Sequence, residues 1–156
     1  MIKVSRQSDL AAPRERVWSV VSRLSGVNDE LAPFLRMTRG NHDDRLFPAQ
    51  GNGTVSFSSW VLLLGLLPID RHSLNARSAG FGFAEESHSW LQRAWRHPRH
   101  LDEIPGGTRI RDEIEFEPRI AVLAPIVGLI IEAIFRHRHK RLARRFGALS
   151  RGGGDG

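Results

Sequence analysis

The chain has 156 residues, 40% hydrophobic and 26% charged, with a formal net charge of +6 and no cysteine. That length buries one core without a metal or disulfide staple, and the lack of cysteine excludes disulfides, thiolate metal sites and a cysteine nucleophile. The positive balance is almost all arginine, since Lys3 and Lys140 are the only lysines; it bears on association and solubility, and nucleic acid is not the expected partner.

Ile2, Val4 and Leu10 share one parity and Lys3, Ser5, Gln7 and Asp9 the other, the period of a half-buried strand. Arg6 and Ser8 fall on the apolar parity and are expected to point inward. Met1 runs straight into this alternation, with no basic region and apolar stretch of a secretory signal, so a cytoplasmic location is the default expectation. Ala12-Pro13 suits a helix start, because proline at the first helical position loses only an amide that would be unpaired anyway. Val17, Trp18, Val20, Val21 and Leu24 follow at helical spacing. A second short helix is predicted after Gly26, with Asn28 as its cap and Asp29 and Glu30 complementing the dipole.

From Leu35 to Pro118 short alternating runs punctuated by glycine predict antiparallel strands joined by turns. The clearest hairpin pairs a strand near Leu91–Ile104 with one near Thr108–Glu117 across Pro105-Gly106-Gly107. Ile110, Ile114 and Phe116 mark the inward parity of the second strand, and Asp112 shares it. A buried carboxylate needs a partner or shifts its pKa. With a two-residue turn, Trp95, His97, Arg99 and Leu101 face the side of Asp112, and Arg99 or His97 pairs with it; a three-residue loop brings His100 opposite instead.

Pro125 stands near the start of a helix predicted to run to about Leu149. Its first half is apolar over more than one face, and the run from Ile120 to Phe135 reads as a buried helix. Interrupted by Pro125, Gly128 and Glu132, this run falls short of the roughly 20 apolar residues that span a bilayer. The second half, from Arg136 to Arg145, is basic, which suits a helix C-terminus. It reads as a solvated helix end, or alternatively as a contact for anionic lipid headgroups. Residues 1–149 form one expected domain and 150–156 a flexible tail.

This α+β order of strand, two short helices, antiparallel strands and one long final helix resembles the helix-grip fold of the SRPBCC superfamily. That group includes START-like lipid carriers, the birch-pollen allergen (Bet v 1-like) family and polyketide cyclases. Three segments carry the resemblance: "AAPRERVWSVV", "SSWVLLLGLLPID" and "WRHPRHLDEIPGGTRIRDEIEFEP". The last two are similar to a bacterial subfamily of ligand-binding members. The resemblance implies a curved antiparallel sheet around the long C-terminal helix, with a pocket between them for an apolar or amphipathic molecule such as a lipid, quinone or polyketide.

The candidate apolar lining is Trp60, Leu62, Trp95, Ile114, Phe116, Ile130 and Ile134, with Arg6, His97 and Asp112 as polar contacts. The bland alternative is that these side chains fill a closed core and that Asp112 belongs to a structural ion pair. His97 with Asp112 would equally serve a cyclase-like enzyme as base and orienting group. No nucleophile elbow, phosphate loop or dinucleotide fingerprint is present, so no catalytic residue is assigned and no cofactor is expected. The histidines do not converge on one ion: His137 and His139 lie two apart on a helix, and His97 and His100 take opposite sides of a strand. Oligomeric state is not legible.

Overall fold

The computed structural model describes residues 1–49 and 51–149. The tail expected to be flexible, 150–156, lies outside the described residues. The elements follow the expected order. Strand β1 (Ile2–Leu10) leads into helices α1 (Arg14–Val21) and α2 (Leu24–Leu31). Six strands come next: β2 (Leu35–Met37), β3 (Gly53–Leu63), β4 (Leu67–Ser78), β5 (Gly82–Ser89), β6 (Gln92–Ile104) and β7 (Gly107–Pro118). A single 3-10 turn (Ala121–Leu123) then opens the long helix α3 (Ala124–Phe146). All strands join one antiparallel sheet in the order β1-β7-β6-β5-β4-β3-β2. The first strand closes on the last, and the sheet curls around α3, which packs mainly against β1 and α2.

The alternation of β1 fits its placement beside β7, where Arg6 stands opposite Asp112 and Ser8 opposite Ile110. The β6–β7 turn is Pro105-Gly106, one residue earlier than the paired glycines suggest; it has two residues, so the inward parity is kept. Gly106 takes φ 82°, a region open to glycine. Gly107 serves a different need: an added Cβ would lie 1.9 Å from the Leu10 carbonyl oxygen.

Three expectations are corrected. Helix α2 starts at Leu24, and Asn28 lies inside it rather than capping it. The helix start is held by the loop residue Asp44, whose carbonyl accepts from Leu24 N and whose carboxylate accepts from Ser25 N and Oγ. Asn28 instead forms a two-way amide clamp with the backbone of Met37 in β2. Helix α3 stops at Phe146, because Gly147 takes φ 82° and the chain turns to the end of β1, where Gly147 O accepts from Ala11 N and Leu149 N donates to Asp9 O.

The third correction concerns the two halves of α3. Its apolar first half is not a buried helix: Ile126, Leu129 and Ile130 are more than half exposed, because sheet and α2 cover only part of its circumference. Its basic second half is not a fully solvated end, since Arg138 and His139 are buried. They share the inward stripe of Ile131, Phe135, Leu142 and Phe146, at three- and four-residue spacing.

The core has two parts. Leu10, Val17, Trp18, Val21, Ile110 and Leu142 belong to the larger, between α1, the sheet and the end of α3. Ile114, Phe116 and Phe135 centre the smaller, against the middle of α3. The open space is bordered by both clusters, by Leu74 and Phe83 of the first and Trp95 and Phe135 of the second.

Candidate functional site

Between the sheet, α2 and α3 lies a cavity of about 410 Å³, within the roughly 300–1,000 Å³ of small-molecule sites. Its wall is mainly apolar, with Val27, Leu31, Leu74, Phe83, Trp95 and Ile134 among the lining residues, and it is bordered toward solvent by Ile69, Trp90, Leu91, Ile120 and Leu123. His72, Glu85, His97 and Arg138 face the cavity, with Asp70 and Arg119 near its solvent border beside Trp90 and Leu91.

Behind His97 and Arg138 runs a buried ionic network tying five elements together. Arg99 and Asp112, both 0% exposed, stand directly opposite on β6 and β7. Arg99 donates from Nε to Asp112 Oδ1 (2.7 Å) and from Nη2 to Oδ2 (2.8 Å). The same guanidinium forks onto Glu30 of α2, at 2.8 and 2.9 Å. Glu30 also accepts from Arg138 Nε (2.8 Å), which brings in α3. Asp112 further engages His97 Nε2 (2.7 Å) and His139 Nε2 (2.9 Å), and His139 Nδ1 lies 2.7 Å from Ser8 Oγ on β1.

Glu85 on β5 links the network to the cavity. It contacts His72 Nε2 at 2.7 Å, accepts from Ser87 Oγ at 2.7 Å, and lies 3.6 Å from His97 Nδ1. Three carboxylates are thus balanced by two guanidiniums and three imidazoles. Burial works against charge on Asp112, yet the Arg99 and His97 charges and the hydrogen bonds from Arg99 and His139 hold its carboxyl well below the usual range. Burial likewise opposes ionisation of Glu85, and the two histidines overcome it. Burial also lowers His72, but the Glu85 hydrogen bond and charge outweigh it and raise the imidazole above its ordinary 6.5. His72 is therefore the group best placed to bring the remaining positive charge.

Two side chains on the cavity wall keep polar atoms without protein partners among the described residues. Arg138 uses Nε on Glu30 and stacks on Phe135, while its terminal nitrogens make no hydrogen bond among the described residues. Gln92 is buried, and its Oε1 has no partner.

Of the residues singled out by sequence, Trp95, His97, Ile130 and Ile134 line the cavity. Asp112 lies behind it and reaches it through His97. Ile114 and Phe116 are fully buried in the second core cluster. Arg6 sits at inward parity but meets Glu132 on α3 at 3.0 Å. Trp60 packs on Trp90 outside the cavity, and Leu62 borders a separate surface groove; the inward parity of β3 is that of Val55, Phe57 and Ser59, so Val61 takes the lining position.

Glu30, Arg138, His72, Glu85 and Gln92 were not anticipated. A signal for three of them is visible in retrospect. Glu30 falls between Val27 and Leu31 on the apolar stripe of α2, Arg138 continues the stripe of α3, and Glu85 shares the parity of Phe83.

Solved structures resemble this chain closely in shape and distantly in sequence. A protein from Chromobacterium violaceum superposes with a TM-score of 0.68 at 15% identity, over 94% of this chain and 98% of that one. A START superfamily protein from Mycobacterium smegmatis gives 0.64 at 16%, over 92% and 96%. The Zhui aromatase/cyclase from Streptomyces sp. R1128 gives 0.66 at 13%, over 92% of each chain. These likenesses show the SRPBCC, START-like helix-grip fold. No curated protein matches the sequence. One family model does, over residues 8–146, described as a domain of unknown function (DUF8410).

Proposed function

The chain belongs to the family described as a domain of unknown function (DUF8410), and from that premise and its START-like fold we propose that it binds and carries an amphipathic small molecule. The single observation behind this reading is an apolar cavity of about 410 Å³ whose wall carries polar atoms without protein partners among the described residues, the terminal nitrogens of Arg138 and Oε1 of Gln92. Left buried without a partner, Gln92 Oε1 costs about 1–3 kcal/mol, which a donor on the ligand would offset. The ligand's apolar body would lie against Leu74, Trp95 and Ile134. An oxygen function, such as a carboxylate, enolate or quinone carbonyl, would accept from the Arg138 terminal nitrogens. Lipids, quinones and polyketides all fit that description.

Native mass spectrometry of protein purified from its own cells tests this. A bound mass is expected, and it should be lost from a variant that fills the cavity, Ala76→Trp. Wild-type protein free of any bound molecule, and unable to take up a fluorescent fatty acid, would overturn the reading.

A second reading, a cyclase-like enzyme in the same cavity, is favoured by one observation. The chain Asp112–His97–Glu85–His72 ends at the cavity wall and holds two imidazoles in hydrogen-bonding range of carboxylates, as general acid–base work requires. His97→Ala separates the two readings: it abolishes turnover of an enzyme, while it leaves a carrier's affinity nearly intact.

A further inference from the structure

Beside the cavity mouth, which Ile69, Trp90, Leu91, Ile120 and Leu123 border, three separate segments carry a collar of exposed apolar side chains. The first is the β3–β4 hairpin tip, where Leu64, Leu66 and Leu67 stand in solvent, Leu66 at 84% exposure. The second is the β5–β6 turn, with Trp90 and Leu91. The third is the entry to α3, where Val122 is 82% and Leu129 69% exposed.

These segments adjoin. Asp70 Oδ1 on β4 accepts from Trp90 N and Leu91 N, and Arg119 N donates to Leu91 O, so the β5–β6 turn is tied to its neighbour on each side. Leu64 N donates to Phe34 O, and the Phe34 ring packs edge-on against His137 of α3, joining the hairpin to the helix. Residues 61–69 and 120–131 contain no charged side chain. A monomer rarely exposes so much contiguous apolar surface without a partner.

The hairpin tip is costly to build this way. Leu64 takes φ 51°, a left-handed conformation that glycine or asparagine would adopt more readily, and its side chain gains little burial in return. Folding gives no reason for a leucine there.

Charge at the margin indicates what covers the collar. Arg36 lies beside Gly65 at the hairpin tip, Arg71 stacks over Trp60 next to Trp90, and Arg119 donates to the Ser89 carbonyl. None of the three pairs with a carboxylate among the described residues. The basic half of α3 is mixed: Arg136, Arg138 and Arg145 are committed to Glu132, Glu30 and Asp29, whereas Lys140, Arg141 and Arg144 pair with no carboxylate among the described residues. An apolar surface fringed by free arginines complements a bilayer with anionic headgroups, where side chains enter the acyl boundary and guanidiniums meet phosphates. No helix among the described residues is long and apolar enough to cross a membrane, so the contact would be peripheral.

We propose that the collar of Leu64, Leu66, Trp90 and Val122, fringed by Arg36, Arg71 and Arg119, docks the protein on an anionic membrane with the cavity mouth facing the acyl chains. The docking does not require that the cavity be loaded, so it stands apart from the ligand reading.

Flotation of the full chain with phosphatidylcholine vesicles, with and without phosphatidylglycerol, tests it. Binding is expected with phosphatidylglycerol, weakened by salt and accompanied by a blue shift of tryptophan emission that Trp90→Phe diminishes. The double variant Leu66→Asp/Val122→Asp should keep the wild-type circular dichroism and melting temperature, since both sites are exposed, and lose more than about tenfold in vesicle affinity. Arg36→Gln/Arg119→Gln should lose affinity for the anionic vesicles only. The cavity-filled Ala76→Trp should still bind vesicles, which keeps this result distinct from failure of the ligand reading. The proposal is overturned if wild type binds neither vesicle, if the folded Asp variant binds like wild type, or if sedimentation shows a dimer in wild type that the Asp variant abolishes, since a second copy would then cover the collar.

Discussion

Arg99 and Asp112 face each other across adjacent strands, and both carboxylate oxygens of Asp112 accept from the one guanidinium, at 2.7 and 2.8 Å, while its remaining donors hold Glu30 on α2. The pair thus fixes where α2 and, through Glu30 and Arg138, α3 sit against the sheet. Arg99→Met leaves two buried carboxylates short of their cation and is expected to cost about 3–5 kcal/mol. Arg99→Lys should recover little, because one ammonium cannot reproduce a fork bonded to two carboxylates. Urea unfolding of the three proteins measures both effects.

Stability should peak at mildly acidic pH. Asp112, Glu30 and Glu85 are depressed in the folded protein below their ordinary 3.8, 4.5 and 4.5. Their contribution is full above those values and is lost as pH falls through the lower folded values. His72 has the opposite sign: raised above 6.5, it contributes fully below 6.5 and loses that contribution as pH climbs through its folded value. The melting temperature should therefore fall below about pH 4.5 and also decline above neutrality, and His72→Gln should flatten the alkaline decline. Thermal melts across the pH range check this.

Gly107→Ala is expected to destabilise by at least about 2 kcal/mol, because the new methyl would collide with the Leu10 carbonyl, which β1 holds in place. Gly40→Ala is the contrasting control: nothing lies near its added Cβ, and only its φ of 57° opposes the change. Chemical denaturation of each gives the comparison.

Arg138→Met should weaken binding of a fluorescent fatty acid by about tenfold or more and leave its neutral methyl ester less affected, since a hydrogen bond to a charged group contributes about 1.5–3 kcal/mol. Arg138→Lys should restore part of the preference for the acid. Fluorescence titration of both probes reads the difference, with melting temperatures to confirm folding. Equal loss for acid and ester would remove Arg138 from the ligand's polar contact.

Much of this arrangement is legible in the chain because it depends on local period. The alternation through Ile110, Asp112, Ile114 and Phe116 puts Asp112 inside β7, and any two-residue turn keeps His97 and Arg99 on its face, while the turn at Pro105-Gly106 sets Arg99 directly opposite it. Trp95, His97, Ile130 and Ile134 face inward on the same reasoning and do line the cavity. Trp60 and Leu62 stand on the other parity of β3 from Val55, Phe57 and Ser59, and Val61 lines the cavity in their place.

The sequence by itself determined the order of elements, the inward faces of the strands and the burial of one acid, since these follow from side-chain periodicity within short stretches. Only the tertiary structure decided which charges meet. Glu30, Glu85, Asp112 and Arg138 are widely separated along the chain, and their union depends on how α2 and α3 lie across the sheet. The fate of the apolar run at the start of α3 was decided in the same way. Hydrophobicity marks residues able to be buried, but whether neighbouring elements cover them is a matter of packing, and here the collar of Val122, Ile126 and Leu129 is left uncovered beside the cavity mouth.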